Sequence, residues 1–268
     1  MSVEGLDTFS GVVESEGGSP IDSAAEISGM SIPRLILLHL VPGALATILF
    51  VFIAPPLETA GYPPALAFFI AVALVIIPWE LGFILWAGRR AGGGLLAAIG
   101  FRQPLARRSW VTVFPAVFAV SLIGFLTFSL LEPTILDTIF GWLPSWFVNL
   151  VPTDAVAAYS PGAWTITLVV YALMNIFVGP GVEEIYFRGY LLPRMSQMGK
   201  WAPFVNSALF SLYHFWSPWS LLTRIVGVTP FAYAVWWKRN IYLGMAVHML
   251  LNGLSTTFLI VTVVGKLA

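Results

Sequence analysis

The chain contains no cysteine. That excludes disulfides, thiolate metal ligands, a cysteine nucleophile and lipid attachment through sulfur. Charge is scarce as well: 10% of residues are Asp, Glu, Lys or Arg, against about 25% in a soluble domain. The formal net charge is zero, which argues against a nucleic-acid partner. Only three histidines occur, His39, His214 and His248. Lys and Arg are missing from residues 1–32, which carry six acidic residues among Ser and Gly. A secretory leader needs a basic start followed by an apolar core, and neither is present. Residues 1–32 are therefore expected to form a disordered acidic N-terminal tail.

What is abundant is apolar surface. Hydrophobic residues make up 58% of the chain, and the mean hydropathy is +0.87. The expected fold is an all-α, polytopic membrane helix bundle over residues 33–268, with multi-pass integral membrane localisation and the lipid bilayer as its surroundings. A span needs about 20 mainly apolar residues. Seven candidates follow in order: Leu35–Ile53, Ala65–Ala87, Trp110–Leu131, a run from Ala163 to about Leu192, Ala202–Phe215, Leu221–Trp237, and Ile241 to about Val264. The fourth is expected to kink at Gly179-Pro180-Gly181. Ile139–Val151 is apolar too, but Pro144 interrupts it and Trp142 and Trp146 favour interfacial depth, so it is read as lying at the membrane surface. No sequence repeat or appended soluble domain stands out.

Basic residues orient such a bundle. With a cytoplasmic N-terminus and seven spans, eleven of the thirteen Lys and Arg residues fall on the cytoplasmic side, and Arg224 and Lys266 fall elsewhere. Spanning by Ile139–Val151 would invert the later basic loops.

Three short motifs stand out inside the apolar runs. Glu183-Glu184 is followed by Arg188; Phe210 by His214; His248 by Asn252. Residues four apart share a helix face, so Glu184 can pair with Arg188, and His248 and Asn252 point to one side. Glu183 then projects about 100° away from Glu184. At about 1.5 Å per residue, Glu183 lies roughly 14 Å from the cytoplasmic end of its helix, and His248 and Asn252 lie about 10 and 16 Å beyond Ile241. His214 lies roughly 18 Å beyond Ala202 on the same rise. One slab of the membrane would hold all four groups. Ionisable groups at such depth are expensive and mark function by default.

A carboxyl group in a low-dielectric pocket exchanges protons near neutral pH, which suits a general base or acid. Glu183 is thus the candidate to take a proton from an attacking water, which His214 would orient. His248 and Asn252 would donate hydrogen bonds to the developing oxyanion. Arg188 would hold Glu184 ionised, and Phe210 would wall the site beside His214. This chemistry hydrolyses a peptide bond without a covalent intermediate.

The three motifs in this order resemble the CAAX-protease and bacteriocin-processing family, the glutamate-type intramembrane proteases, which include the prenyl-protein tail-processing endopeptidase. The run Glu183-Glu-Ile-Tyr-Phe-Arg-Gly-Tyr-Leu-Leu-Pro193 is close to the family pattern. The resemblance covers a catalytic core of about 163–255. It implies an intramembrane endopeptidase acting on a membrane-embedded or membrane-anchored peptide. It assigns Glu183 to water activation with His214 as its partner, and His248 with Asn252 to the oxyanion. Glu184 and Arg188 take supporting roles. No cofactor is implied. The family has eight spans against seven here, unless a short eighth helix hides in Ser255–Val264.

Two alternatives stand beside this reading. Glu183, His214 and His248 form a plausible two-histidine, one-carboxylate zinc set, although His-Glu-x-x-His is absent. The polar cluster would also serve a non-catalytic peptide-binding scaffold or immunity protein. Elsewhere, Asn175 and Asn206 are expected to bond between helices. Glu80, His39 and Arg224 are expected to snorkel or to pair helices.

Overall fold

The computed structural model describes residues 29–268. Most of the expected acidic tail lies outside the described residues. The end of that segment is held in place: Met30 is buried, its N–H donates to the Arg194 carbonyl at 2.9 Å, and the Gln197 amide donates to its carbonyl at 2.7 Å.

The described residues are 84% helical. They contain no strand, only an isolated bridge between Arg102 and Asn240. Seven helical segments order the bundle. They are α1 (Ile32–Thr59), α2 (Pro64–Arg90), α3 (Arg107–Ser129), α4 (161–191), α5 (Ala202–Tyr213), α6 (Leu221–Lys238) and α7 (Ile241–Leu267). Proline stands in the first turn of α1, α2, α4 and α5, where a missing N–H costs nothing. Asn240 caps α7 by accepting from Leu243 N–H at 2.9 Å, and Ser160 does the same for Ala163 at the start of α4. These side chains satisfy orphaned donors.

Five runs are long and apolar enough to cross a membrane: Ile32–Thr59, Pro64–Arg90, Arg107–Ser129, Pro161–Tyr213 and Ile241–Leu267. This is an all-α integral membrane bundle. Large apolar side chains such as Phe52, Ile123 and Phe258 lie exposed on its flanks, as a lipid-facing surface requires. The expected fifth span is shorter than a bilayer. α5 holds 12 residues, about 18 Å of helix, and it continues the 53-residue run through a 3₁₀ segment, Leu192–Trp201, that breaks at Met195 and Gly199. α7 runs unbroken from Ile241 to Leu267, so no separate eighth helix occupies Ser255–Val264.

Residues 139–151 do not span. Leu136–Phe140 forms a single wide turn and Ser145–Val148 a short helix. Trp146 and Phe147 pack on Phe50 of α1 with ring centroids 5.7 Å away in each case. The bundle is built by α1 on α2 and α5, α6 on α3 and α5, and α7 on α4 and α6. Lys266 near the end of α7 reaches Asp154 at 3.2 Å, tying the chain's end to the turn that precedes α4.

Candidate active site

The middle of α4 is not a regular α-helix. Leu173–Val178 and Glu184–Leu191 wind as π-helix on either side of Gly179–Glu183. Pro180 explains the first widening. Proline has no N–H and its ring crowds the carbonyl four residues back. In the five-residue register, Gly179 N–H bonds to the Met174 carbonyl, and the donor for the next carbonyl, Asn175, would be Pro180. That carbonyl is left open, and the Asn252 amide of α7 donates to it at 2.9 Å. The expected kink is thus a register change that ties α4 to α7. The Asn175 side chain strengthens the tie by donating to Thr256 at 3.0 Å.

Glu184 and Arg188 are both fully buried and paired at 3.1 Å. The contact is off the hydrogen-bond line, and the remaining guanidinium donors have no partner among the described residues. Aromatic faces surround the cation instead: Phe210 lies 4.2 Å from the guanidinium carbon and Phe231 5.3 Å, a favourable arrangement for a desolvated arginine. The buried pair takes Arg188 out of the set of basic loop residues that orient the bundle.

His248 bridges the two carboxylates. Its Nδ1 stands 3.1 Å from Glu184 Oε1, and its Nε2 3.9 Å from Glu183 Oε2. Gly244, one turn earlier on α7, makes room for this. A Cβ at 244 would lie 2.6 Å from Glu184 Oε2 and 2.7 Å from Val235 Cγ2. The other oxygen of Glu183, Oε1, accepts a hydrogen bond from the Tyr213 hydroxyl at 3.3 Å. Tyr213 is itself clamped, because α1 passes so close at Gly43 that a Cβ there would sit 1.9 Å from the Tyr213 carbonyl oxygen.

His214 terminates α5. Its Nδ1 donates to the Phe210 carbonyl at 2.8 Å; a carbonyl only accepts, so Nε2 of the neutral ring carries the lone pair. Phe210 packs against it with ring centroids 4.8 Å apart. Of the two imidazoles, His248 is the one within 4.0 Å of Glu183. Glu183, His214, His248 and Asn252 nevertheless line one cavity of about 270 Å³, with Phe210 in its wall. A second cavity of about 600 Å³ shares Phe125, Arg224 and Asn252 with the first. Leu126 and Phe258, both exposed on the flank, line its other end.

Two residues read as snorkelling or helix-pairing belong to this region. Glu80 of α2 is wholly buried and sits beside the Tyr213 hydroxyl and Glu183. Arg224 of α6 lines both cavities and donates to Ser217, through its carbonyl at 3.0 Å and its hydroxyl. Tyr213 belongs here too. Its place in the Phe-x-x-x-His motif, beside the histidine, was the available signal. His39 does pair helices: it is buried and contacts the Asn206 amide at 3.1 Å. Asn206 also donates to the Phe187 carbonyl. Among the described residues, no three His, Asp or Glu side chains converge in metal-ligand geometry.

Helices that cross a membrane and enclose a cavity lined by carboxylates and imidazoles define an integral membrane protein with a buried polar site. Residues 165–254 match the model of a protease family described as Type II CAAX prenyl endopeptidase Rce1-like, in agreement with the CAAX-protease and bacteriocin-processing family that the three motifs resemble. The matched stretch contains Glu183, Glu184, Arg188, Phe210, His214, His248 and Asn252. It supports intramembrane protease activity. No curated protein and no solved structure matches the chain.

Proposed function

We propose that the chain is a glutamate-type intramembrane endopeptidase that hydrolyses a peptide bond of a membrane-embedded, membrane-anchored or lipidated substrate. The observation that carries this reading is the shared cavity: one carboxylate, two imidazoles and a carboxamide from three helices meet in one space. A water in it lies between Glu183 and His214 Nε2. Glu183 takes its proton as the oxygen attacks the carbonyl carbon. The oxyanion accepts from the second N–H of Asn252, whose first is held by Asn175, and from His248 Nε2 when that nitrogen bears a proton. The C–N bond then breaks, and Glu183 returns its proton to the leaving amine. Glu184, held by Arg188, fixes the ring of His248.

The larger cavity gives a substrate lateral entry from lipid past Leu126 and Phe258. The N-terminus and the loops bearing Arg89, Arg90, Lys238 and Arg239 face the cytoplasm in this reading. The reaction needs no metal; stoichiometric zinc in purified, active protein would replace the water-activating role of Glu183 with a metal-bound hydroxide.

The deciding experiment compares membrane peptides from cells carrying the wild type and Glu183→Ala. The expected outcome is a precursor that accumulates only in the variant, with the cut site visible at the wild-type product terminus. Full processing by Glu183→Ala would refute the proposal.

A further inference from the structure

Among the described residues, no donor serves the carboxyl group of Glu80. It is fully buried on α2. A carboxylate left in that condition is among the costliest groups a protein interior can hold, and in practice such a group neutralises. Its neighbours define what it does. The Tyr213 hydroxyl lies beside it, and Glu183 and Arg188 are near enough to be felt electrostatically. Tyr186 is also near enough to be felt electrostatically, and the Trp79 indole N–H is likewise without a partner among the described residues. The single proton of the Tyr213 hydroxyl is committed to Glu183 Oε1. That hydroxyl oxygen still has lone pairs to offer, and a phenol both donates and accepts.

We infer that Glu80 is a positioning residue: a neutral carboxylic acid whose O–H donates to the Tyr213 oxygen, so that Tyr213 in turn donates to Glu183 Oε1. The chain then runs from Glu80 through Tyr213 to Glu183, which is the terminal acceptor. No proton is transferred along it, and no bond is made or broken. Its effect is on which oxygen of Glu183 is free. Oε1 is occupied by Tyr213, and Oε2, the atom facing His248, remains for the water. A donor chain of this kind also polarises its middle member, strengthening the hydrogen bond that reaches Glu183. The role rests on the endopeptidase reading; the protonation of Glu80 and the direction of the chain do not.

The test separates the two. Protein labelled with ¹³C at glutamate carboxyl carbons is examined in the infrared near neutral pH. A protonated-carboxyl C=O stretch is expected in the wild type, retained in Glu183→Gln, lost in Glu80→Gln and shifted in Tyr213→Phe. Its absence from the wild type, or its survival in Glu80→Gln, overturns the inference whatever the enzyme does. Kinetics supply the second readout. Glu80→Leu and Tyr213→Phe should each lower kcat about 10-fold or more, the scale of a hydrogen bond to a charged group, with KM little changed. Combining them should cost no more than the worse single change, because the residues act as a unit. Glu80→Gln, whose amide can still donate to Tyr213, should recover kcat to within about five-fold of wild type on the same scale. A Glu80→Gln enzyme as impaired as Glu80→Leu, or Glu80→Leu at wild-type kcat, overturns the positioning role.

Discussion

Replacing Gly244 by alanine tests whether the arrangement of Glu184 and His248 governs activity. A methyl at 244 would lie 2.6 Å from Glu184 Oε2 and 2.7 Å from Val235 Cγ2, whereas unstrained contacts lie near 3.5 Å. One side must give by about 1 Å. Val235 is buried within the core, and Glu184 Oε2 has no hydrogen bond to anchor it, so the carboxylate moves. Its Oε1 then shifts against both Arg188 and His248 Nδ1, each at 3.1 Å. Overpacking of this size costs about 1–3 kcal/mol, and the higher helix propensity of alanine offsets about 1 kcal/mol. The net destabilisation is about 0–2 kcal/mol, so thermal unfolding in detergent moves by a few degrees. Displacing a reacting geometry by about 1 Å can cost about 100-fold in rate. Gly244→Ala should therefore lower kcat about 10- to 100-fold in folded protein. Gly253→Ala on the same helix is the control: its methyl would meet only Ile176 Cγ2 at 3.8 Å, an ordinary contact, and cleavage should be unaffected. Full kcat in Gly244→Ala, or equal losses at both glycines, would refute the reasoning.

Three further outcomes are expected. Arg188→Leu strands a buried carboxylate and should destabilise by about 3–5 kcal/mol, whereas Arg188→Leu combined with Glu184→Gln should recover much of that in denaturant unfolding. Pro180→Ala supplies the N–H that the Asn175 carbonyl lacks; the Asn252 amide must then share that acceptor, and the weakened tie should lower kcat by up to about 10-fold while unfolding temperature does not fall. Since the chain has no cysteine, single-cysteine variants report topology: an impermeant maleimide should label Ala91→Cys only from the cytoplasmic face and Ala157→Cys only from the opposite one, and the reverse would invert the orientation.

The parts of this architecture visible in the sequence are those carried by local spacing. Glu184 pairs with Arg188 because the two are one helical turn apart, and Phe210 walls His214 for the same reason. Composition set the membrane bundle, since 58% hydrophobic residues leave little surface for water. What spacing cannot carry is distance through space. Glu80 precedes Glu183 by more than a hundred residues, belongs to no motif, and looks from its own helix like any isolated acid beside a proline. Its meeting with Tyr213 depends on how α2 and α5 pack, which no periodicity encodes. The same holds for Arg224, and for the pairing of Glu183 with His248 in preference to His214. Pro180 lies between the two cases. Its kink was readable, but the consequence, an orphaned carbonyl that captures Asn252, required the π register to be seen. The distinction has a physical origin. Motif residues are placed by the helix they stand on, whereas the role of Glu80 is set by desolvation, since a carboxyl group with no donor must keep its own proton and can only hydrogen-bond through it to whichever acceptor the packing brings. The charge state of the pocket is therefore set partly by a helix outside the matched segment, and transplanting residues 165–254 without α2 should leave Tyr213 without its second partner even if the three motifs are intact.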